Sequence, residues 1–202
     1  MLFLLPVSKG ERTRTAILDR ATGLASQLGL TGLTIGALAD DLKLSKSGLF
    51  AHFQSKEALQ IDVLDHAAQR FTETVVRPAL RESRGTARLQ ALFDRWIAWE
   101  RDVALPGGCI FVAAIAELDD RPGPVRDRLV ALQRDWINVL ATSFRKGIES
   151  GHFRRDADPE QFAQDMYGVM LALHFHSRLM SDPGAEGRAR RAFAALLEGA
   201  KP

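Results

Sequence analysis

The stretch "TIGALADDLKLSKSGLFAHF", residues 34–53, limits the possible folds more than any other part of the chain. It holds two apolar patterns of helical period, Ile35–Leu38–Ala39 and Leu44–Leu49–Phe53, with only a few residues between them. Neither segment is long enough to be a stable helix in water, where isolated helices under about 12–15 residues are marginal. Each must therefore bury its apolar face against the other. Two short helices joined by a three- to four-residue turn fit a helix-turn-helix unit. In that unit the first helix braces and the second offers its N-terminal residues to the major groove of DNA.

The residue types fit such a role. Leu44, Leu49 and Phe53 are expected to face inward against Ile35, Leu38 and Ala39. Small groups at Ser47 and Gly48 let backbone approach a duplex closely, and Lys46 can donate to guanine acceptors or to phosphate. Thr34, Ser45 and Ser47 can donate to phosphate oxygens, as can the exposed amides at both helix N-termini. Between Ser8 and Lys56 seven basic side chains face four acidic ones, a net +3; the whole chain carries +2, so the remainder carries −1. The excess is small but has the sign a polyanion partner requires. Periodicity alone leaves an ordinary helical hairpin open as the alternative.

The rest of the 202 residues also reads as helix, without strand-like alternation. A first helix over Lys9–Leu28 has Ala16, Ile17, Ala21, Leu24, Ala25 and Leu28 on one face and is closed by Gly29. Thr34 caps a second helix through Leu42, Ser45 a third through about Phe53, and Ser55 a fourth from Lys56 that Pro78 ends. Further helices are expected over about 86–103, 109–118, 124–150, 159–180 and 185–197. In the eighth, Asp158 is the cap, Pro159 stands in the first turn and Gln161 occupies the capping-box position.

Composition narrows the class. A single cysteine, Cys109, excludes an intrachain disulfide framework and cysteine-rich zinc sites, and fits a reducing cytoplasm. No run approaches the ~18 apolar residues of a membrane span, so a soluble protein is expected. The apolar start "MLFLLPV" has no basic n-region or cleavage site and reads as a loose extension rather than a signal peptide. His174 and His176 in "HFH" point about 200° apart on a helix and cannot share one metal from within it, so no metal is expected. Nor is a cofactor or catalysis: no oxyanion motif accompanies Cys109 and the histidines.

Residues from about Arg12 to Leu59, "AILDRATGLASQLGLTGLTIGALADDLKLSKSGLFAHFQSKEAL" at their centre, resemble the DNA-binding domain of the tetracycline-repressor (TetR) family. The family's Ser…Leu-Tyr-x-His-Phe and Ser-Lys-Glu-x-Leu blocks are matched at Ser45, Leu49, His52, Phe53, Ser55, Lys56, Glu57 and Leu59. Two positions depart: the usual Tyr is Phe50, which lacks a hydroxyl for phosphate, and Ala51 follows it. The resemblance implies an all-α protein of about nine helices: a three-helix head over residues 1–55 and a ligand-binding and dimerisation domain over 56–202. It implies operator contacts at Thr34, Ser45, Lys46, Ser47, Gly48, Phe50, His52 and Lys56, with Lys46 reading a base and His52 and Lys56 on phosphate. His52 as a packing or capping residue and Lys56 as a solvated first-turn lysine stay open.

The same resemblance implies a homodimer whose C-terminal region binds a small effector and moves the heads on a pseudo-palindromic operator. The expected function is a ligand-responsive regulator, a repressor, released by a small hydrophobic or aromatic molecule. Aromatic and methionine side chains in the C-terminal helices suit such a cavity. The candidates are Phe71, Trp96, Trp99, Cys109, Phe111, Ile115, Trp136, Met166, Tyr167, Met170 and His174, for each of which plain core packing is the alternative. A second reading makes Cys109, at a helix N-terminus, a thiolate sensor of electrophiles or redox state. The dimer is expected through the helices over about 159–180 and 185–197, with Phe162, Met166, Val169 and Leu173 on one and Ala189, Ala192, Phe193, Leu196 and Leu197 on the other.

Overall fold

The structure, a computed structural model, describes residues 9–202, so the apolar N-terminal segment lies outside the described residues. All regular elements among them are helical: α1 (Lys9–Leu28), α2 (Ile35–Leu42), α3 (Lys46–His52), α4 (Lys56–Phe71), a π-helical turn (Thr72–Val76), α5 (Arg77–Leu80), α6 (Thr86–Glu100), α7 (Ile110–Ala113), α8 (Ile115–Leu118), α9 (Pro124–Glu149), α10 (Pro159–Arg178) and α11 (Ala185–Gly199). The π turn joins α4 to α5, and α8 follows α7 after Ala114, so the described residues form nine rods, the expected number.

Caps set most helix starts. The hydroxyls of Thr34, Ser45 and Ser55 accept from the amides of Ala37 (3.0 Å), Gly48 (3.1 Å) and Ala58 (3.0 Å), each bond contributing about 1 kcal/mol. Asp158 accepts from the amides of Glu160 and Gln161. The capping box is only half made, because the Gln161 side chain donates to Asp165 instead. Gly29 ends α1 with φ +79°. Lys43 turns the chain between α2 and α3 at φ 54°, a left-handed conformation uncommon outside glycine.

Several expectations are corrected. Pro78 does not end the fourth rod. The ladder widens first, with the Arg77 amide reaching back to the Thr72 carbonyl, and the rod runs on to Leu80. A π turn spaces the chain where the proline ring and missing N–H disrupt an α-helix. The fifth rod stops at Glu100 rather than Val103, because the Asp102 carboxylate takes the Ala104 amide and folds a turn. Leu44 and Leu28 are exposed rather than inward-facing, whereas Leu49 and Phe53 are fully buried. Burying those two contributes roughly 1.5–3 kcal/mol each to docking α3.

α4 begins where the head was expected to end, and it packs on α1 and on α9, so one apolar core runs through both regions. α9 also packs on α6 and α10, and α10 pairs with α11. Phe144 stacks on Phe162 at 4.0 Å and on Phe153 at 4.5 Å, and Phe93 stacks on Phe193 at 4.2 Å. Phe162, Met166, Phe193 and Leu197 are thereby buried inside the protomer. The outer face of the α10–α11 pair keeps a shallow groove lined by Val169, Ala172, His176 and Ala192, with the mostly buried Leu173 and Ala189 at its floor.

The loop after α6 meets α1 closely. The Gly107 amide donates to Ser26 Oγ at 3.0 Å, and a Cβ at Gly107 would lie 1.6 Å from the Ser26 carbonyl oxygen. No rotamer relieves an overlap with backbone. Gly107→Ala is therefore expected to destabilise the fold by about 3 kcal/mol or more, measured as a lowered denaturation midpoint in urea with circular dichroism. An unchanged midpoint would show that this contact yields.

Candidate nucleic-acid interface and effector cavity

The first turn of α3 stands clear of the protein. Ser45, Lys46, Ser47, Gly48 and Phe50 are exposed, while Leu49 in their midst is fully buried and anchors the helix. The Lys46 stem passes beside Gly36 of α2, and its ammonium contacts no acceptor among the described residues. Thr34 is half-buried, with its hydroxyl occupied as the α2 cap. His52 is half-buried, its ring 6.2 Å from that of Phe53. The eighth candidate, Lys56, donates to the Thr31 carbonyl at 2.6 Å. An ammonium has three donors, so Lys56 keeps two after closing that turn.

That turn, Leu30–Thr31, is a junction between head and C-terminal region. Gln60 of α4 donates to the Leu30 carbonyl at 2.5 Å. Glu117 of α8 accepts from the Leu30 amide (3.0 Å), the Thr31 amide (2.8 Å) and the Thr31 hydroxyl (2.6 Å). A Cβ at Gly29 would fall 2.6 Å from the Glu117 carboxylate. No local pattern in the sequence marks Glu117, since its partners lie 86 and 87 positions away.

Between Gly107 and Glu117 the chain forms one wall of a cavity of about 230 Å³. Phe71, Trp96, Cys109, Phe111, Trp136 and Tyr167 line it, six of the eleven candidates. Ala68, Thr72, Val76, Val112, Leu132, Gln133, Asp135 and Val139 complete it. The π turn thus shapes one side, as such turns often do at functional sites. Phe71 is the hub of the aromatic cluster, edge-on to Trp136 (4.9 Å), Trp99 (5.3 Å) and Phe111 (5.9 Å). Trp99 supports the wall from behind; Met166 and Met170 lie fully in the core; Ile115 lines a neighbouring groove with Tyr167. His174 meets Glu100 at 2.9 Å, away from the cavity, and His176 is exposed.

The polar groups of the cavity form a chain. The Tyr167 hydroxyl donates to Gln133 Oε1 at 2.7 Å, and Gln133 Nε2 donates to the Phe111 carbonyl at 3.1 Å. Burial holds the Tyr167 phenol above its ordinary pKa, so it stays a donor. Gln133 shares the helical spacing of Trp136 and is a site residue that periodicity along α9 could have found.

Cys109 sits in the wall, buried, at the start of the four-residue α7. The expected stabilisation of a thiolate is reversed. Burial, helped by the nearby Glu100 carboxylate, pushes the thiol up to about 12. Both Glu100 oxygens are engaged, one with the Cys109 amide at 2.9 Å and one with His174. At pH 8 about one thiol in ten thousand is then ionised, against roughly a quarter for an ordinary cysteine near 8.5. Iodoacetamide is expected to label folded Cys109 at pH 8 at least ~10³-fold more slowly than the urea-unfolded chain, with the rate rising only as pH approaches 12, as followed by mass spectrometry. Labelling at the unfolded rate would refute the buried-thiol assignment.

Comparison with known proteins identifies the family and the fold. Residues 17–63 match the model of bacterial regulatory proteins of the tetR family, and residues 85–193 match that of the tetracyclin repressor-like C-terminal domain. The HTH-type transcriptional repressor DhaR of Mycobacterium sp. (strain GP1) is 25% identical over 153 residues, 74% of each chain. A TetR transcriptional regulator from Chloroflexus aurantiacus J-10-FL superposes with a TM-score of 0.82 at 24% identity, over 94% of each chain. AibR, solved in complex with isovaleryl coenzyme A and operator DNA, superposes with a TM-score of 0.68 at 20% identity, over 94% of this chain and 98% of its own. With the C-terminal match alone spanning more than half of its length, this chain belongs to the tetracycline-repressor family of transcriptional regulators.

Proposed function

We propose that this regulator is a repressor that binds a pseudo-palindromic operator as a homodimer and is released when a small apolar or aromatic molecule enters the cavity beside Phe71 and Trp136. One observation carries the reading: the segment that walls the cavity grips the head at both ends. Gly107 holds Ser26 of α1, Glu117 holds Leu30 and Thr31, and Phe111 and Val112 face the cavity between them. A molecule that displaces this wall must shift or release one grip. Packed interfaces respond to such displacement by moving between discrete arrangements rather than by deforming smoothly. The naming of DhaR as a repressor supports the repressor assignment, and the complex of AibR with isovaleryl coenzyme A and operator DNA supports a fold that can hold both a small molecule and DNA.

In this reading Lys46 enters the major groove and reads a base, flanked by Ser45, Ser47 and Gly48. Thr34, His52 and the remaining donors of Lys56 meet phosphate, and Phe50 offers an apolar face to a thymine methyl. Trp99, Met166, Met170 and His174 shape the cavity indirectly or serve the core, and Ile115 belongs to the groove outside it. The outer face of α10 and α11 forms a four-helix bundle with the same face of a second copy. No helix among the described residues is long and apolar enough to cross a membrane, which agrees with action in the cytoplasm. The rival sensor role for Cys109 is disfavoured by its burial.

Two measurements test this. An operator is first selected from random duplex DNA with the wild-type protein. Lys46→Ala is then expected to cost about 1–3 kcal/mol on the selected site and much less on unrelated duplexes; equal weakening on both would make Lys46 a phosphate contact. Glu117→Gln keeps the shape of the clasp and removes its charge. Exchange of the Leu30 and Thr31 amides is expected to speed up about 10-fold, while that of the capped Ala37 amide stays unchanged. Unchanged protection at Leu30 and Thr31, read by NMR, would remove Glu117 from the coupling path.

A further inference from the structure

We infer that the effector is an elongated amphiphile, with an aryl or short-acyl body in the inner cavity and an anionic end in a second chamber beyond the Tyr167–Gln133 pair. The inference rests on the reading of the inner cavity as the effector site and adds the shape and charge of what fills it.

The second chamber is a groove of about 270 Å³ between α8, α9 and α10. It shares Gln133 and Tyr167 with the inner cavity, so the hydroxyl–amide pair is the common wall of both spaces. Taken alone, the inner cavity at about 230 Å³ falls below the usual small-molecule site of roughly 300–1,000 Å³, and the two spaces joined fall within it. The Tyr167–Gln133 hydrogen bond closes the wall, and Gln133 is further held by the Phe111 carbonyl. In this inference the Tyr167 side chain, held by that one bond, rotates to join the chambers. Once parted, the Tyr167 hydroxyl needs an acceptor, which a ligand oxygen at the neck would supply.

Charge sets the direction in which the ligand lies. Asp135 is the ionisable carboxylate lining the inner cavity and opposes an anion there. The outer groove carries two guanidiniums, Arg126 and Arg134, against the single carboxylate of Asp119. Arg126 donates through Nε to the Asp119 backbone carbonyl at 3.1 Å, a bond that leaves its charge unneutralised. Neither arginine is in an ion pair among the described residues, whereas eleven other arginines and lysines among them are. Two unneutralised guanidiniums beside apolar groove walls suit a carboxylate joined to a hydrocarbon body.

The test compares 4-phenylbutyrate with its neutral counterpart 4-phenylbutanol by isothermal titration calorimetry on the full chain. The carboxylate is expected to bind about 10-fold more tightly, a preference sized for one half-exposed and one exposed guanidinium. Raising the salt concentration should shrink it. In Arg126→Gln/Arg134→Gln the preference should vanish while the alcohol binds as before. Arg134→Gln alone, which breaks no hydrogen bond or ion pair among the described residues, should lose part of it and keeps the test valid if the double variant does not fold. Equal binding of the two probes to wild type, or a preference that survives the loss of both arginines, overturns the two-chamber inference while leaving the effector cavity in place. Failure of both probes to bind wild type overturns the inference and counts against the cavity reading as well.

Discussion

The Glu117 carboxylate is the contact on which the working architecture depends. α1 ends at Gly29 and the chain reverses, leaving the Leu30 and Thr31 amides beyond the reach of any helical ladder. Buried backbone donors must find acceptors, and an unmet one costs about 1–3 kcal/mol. The three-helix head supplies none for these two. α8 does, through one side chain, and α4 takes the matching carbonyls with Lys56 and Gln60. The turn that sets the angle between α1 and α2 is therefore completed from outside the head.

This arrangement joins the helix-turn-helix head to the cavity wall through one continuous core. One apolar core runs from Leu49 of α3, through α4, to Phe144 in the distal bundle. Close-packed interiors transmit small displacements rather than absorbing them. The short pieces α7 and α8 are the soft members of the set. They are four residues each, meet at Ala114, and have the Phe111 carbonyl taken by Gln133. A wall built from two short helices can shift at lower cost than one built from the 26-residue α9.

Cys109 illustrates how environment overrides position. A cysteine opening a helix invites the expectation of an activated thiolate, because a helix N-terminus favours negative charge. Here the helix has four residues, the sulfur is buried, and a carboxylate stands close by. Desolvation and like charge both favour the neutral thiol, and they outweigh the weak field of so short a helix.

Local signals were strong wherever the physics is local. Caps at Thr34, Ser45, Ser55 and Asp158, the stop at Gly29 and the apolar period of α1 to α4 made the head and the count of nine rods legible in the sequence. Of the eleven candidates named from the C-terminal helices, five aromatics and Cys109 surround one cavity. Misreadings arose where a nearby preference met a distant constraint: Pro78 was absorbed by a π turn, Leu44 was left outside, and Met166 and Met170 went to the core. What the sequence by itself determined is the helices and the chemical character of the exposed first turn of α3, since hydrogen bonds and side-chain periods within a few residues decide both. What only the tertiary structure decided is which groups meet across tens of residues — Glu117 with Thr31, Gln133 with Tyr167, Gly107 with Ser26 — because contacts at that separation depend on how whole helices pack and leave no pattern along the chain.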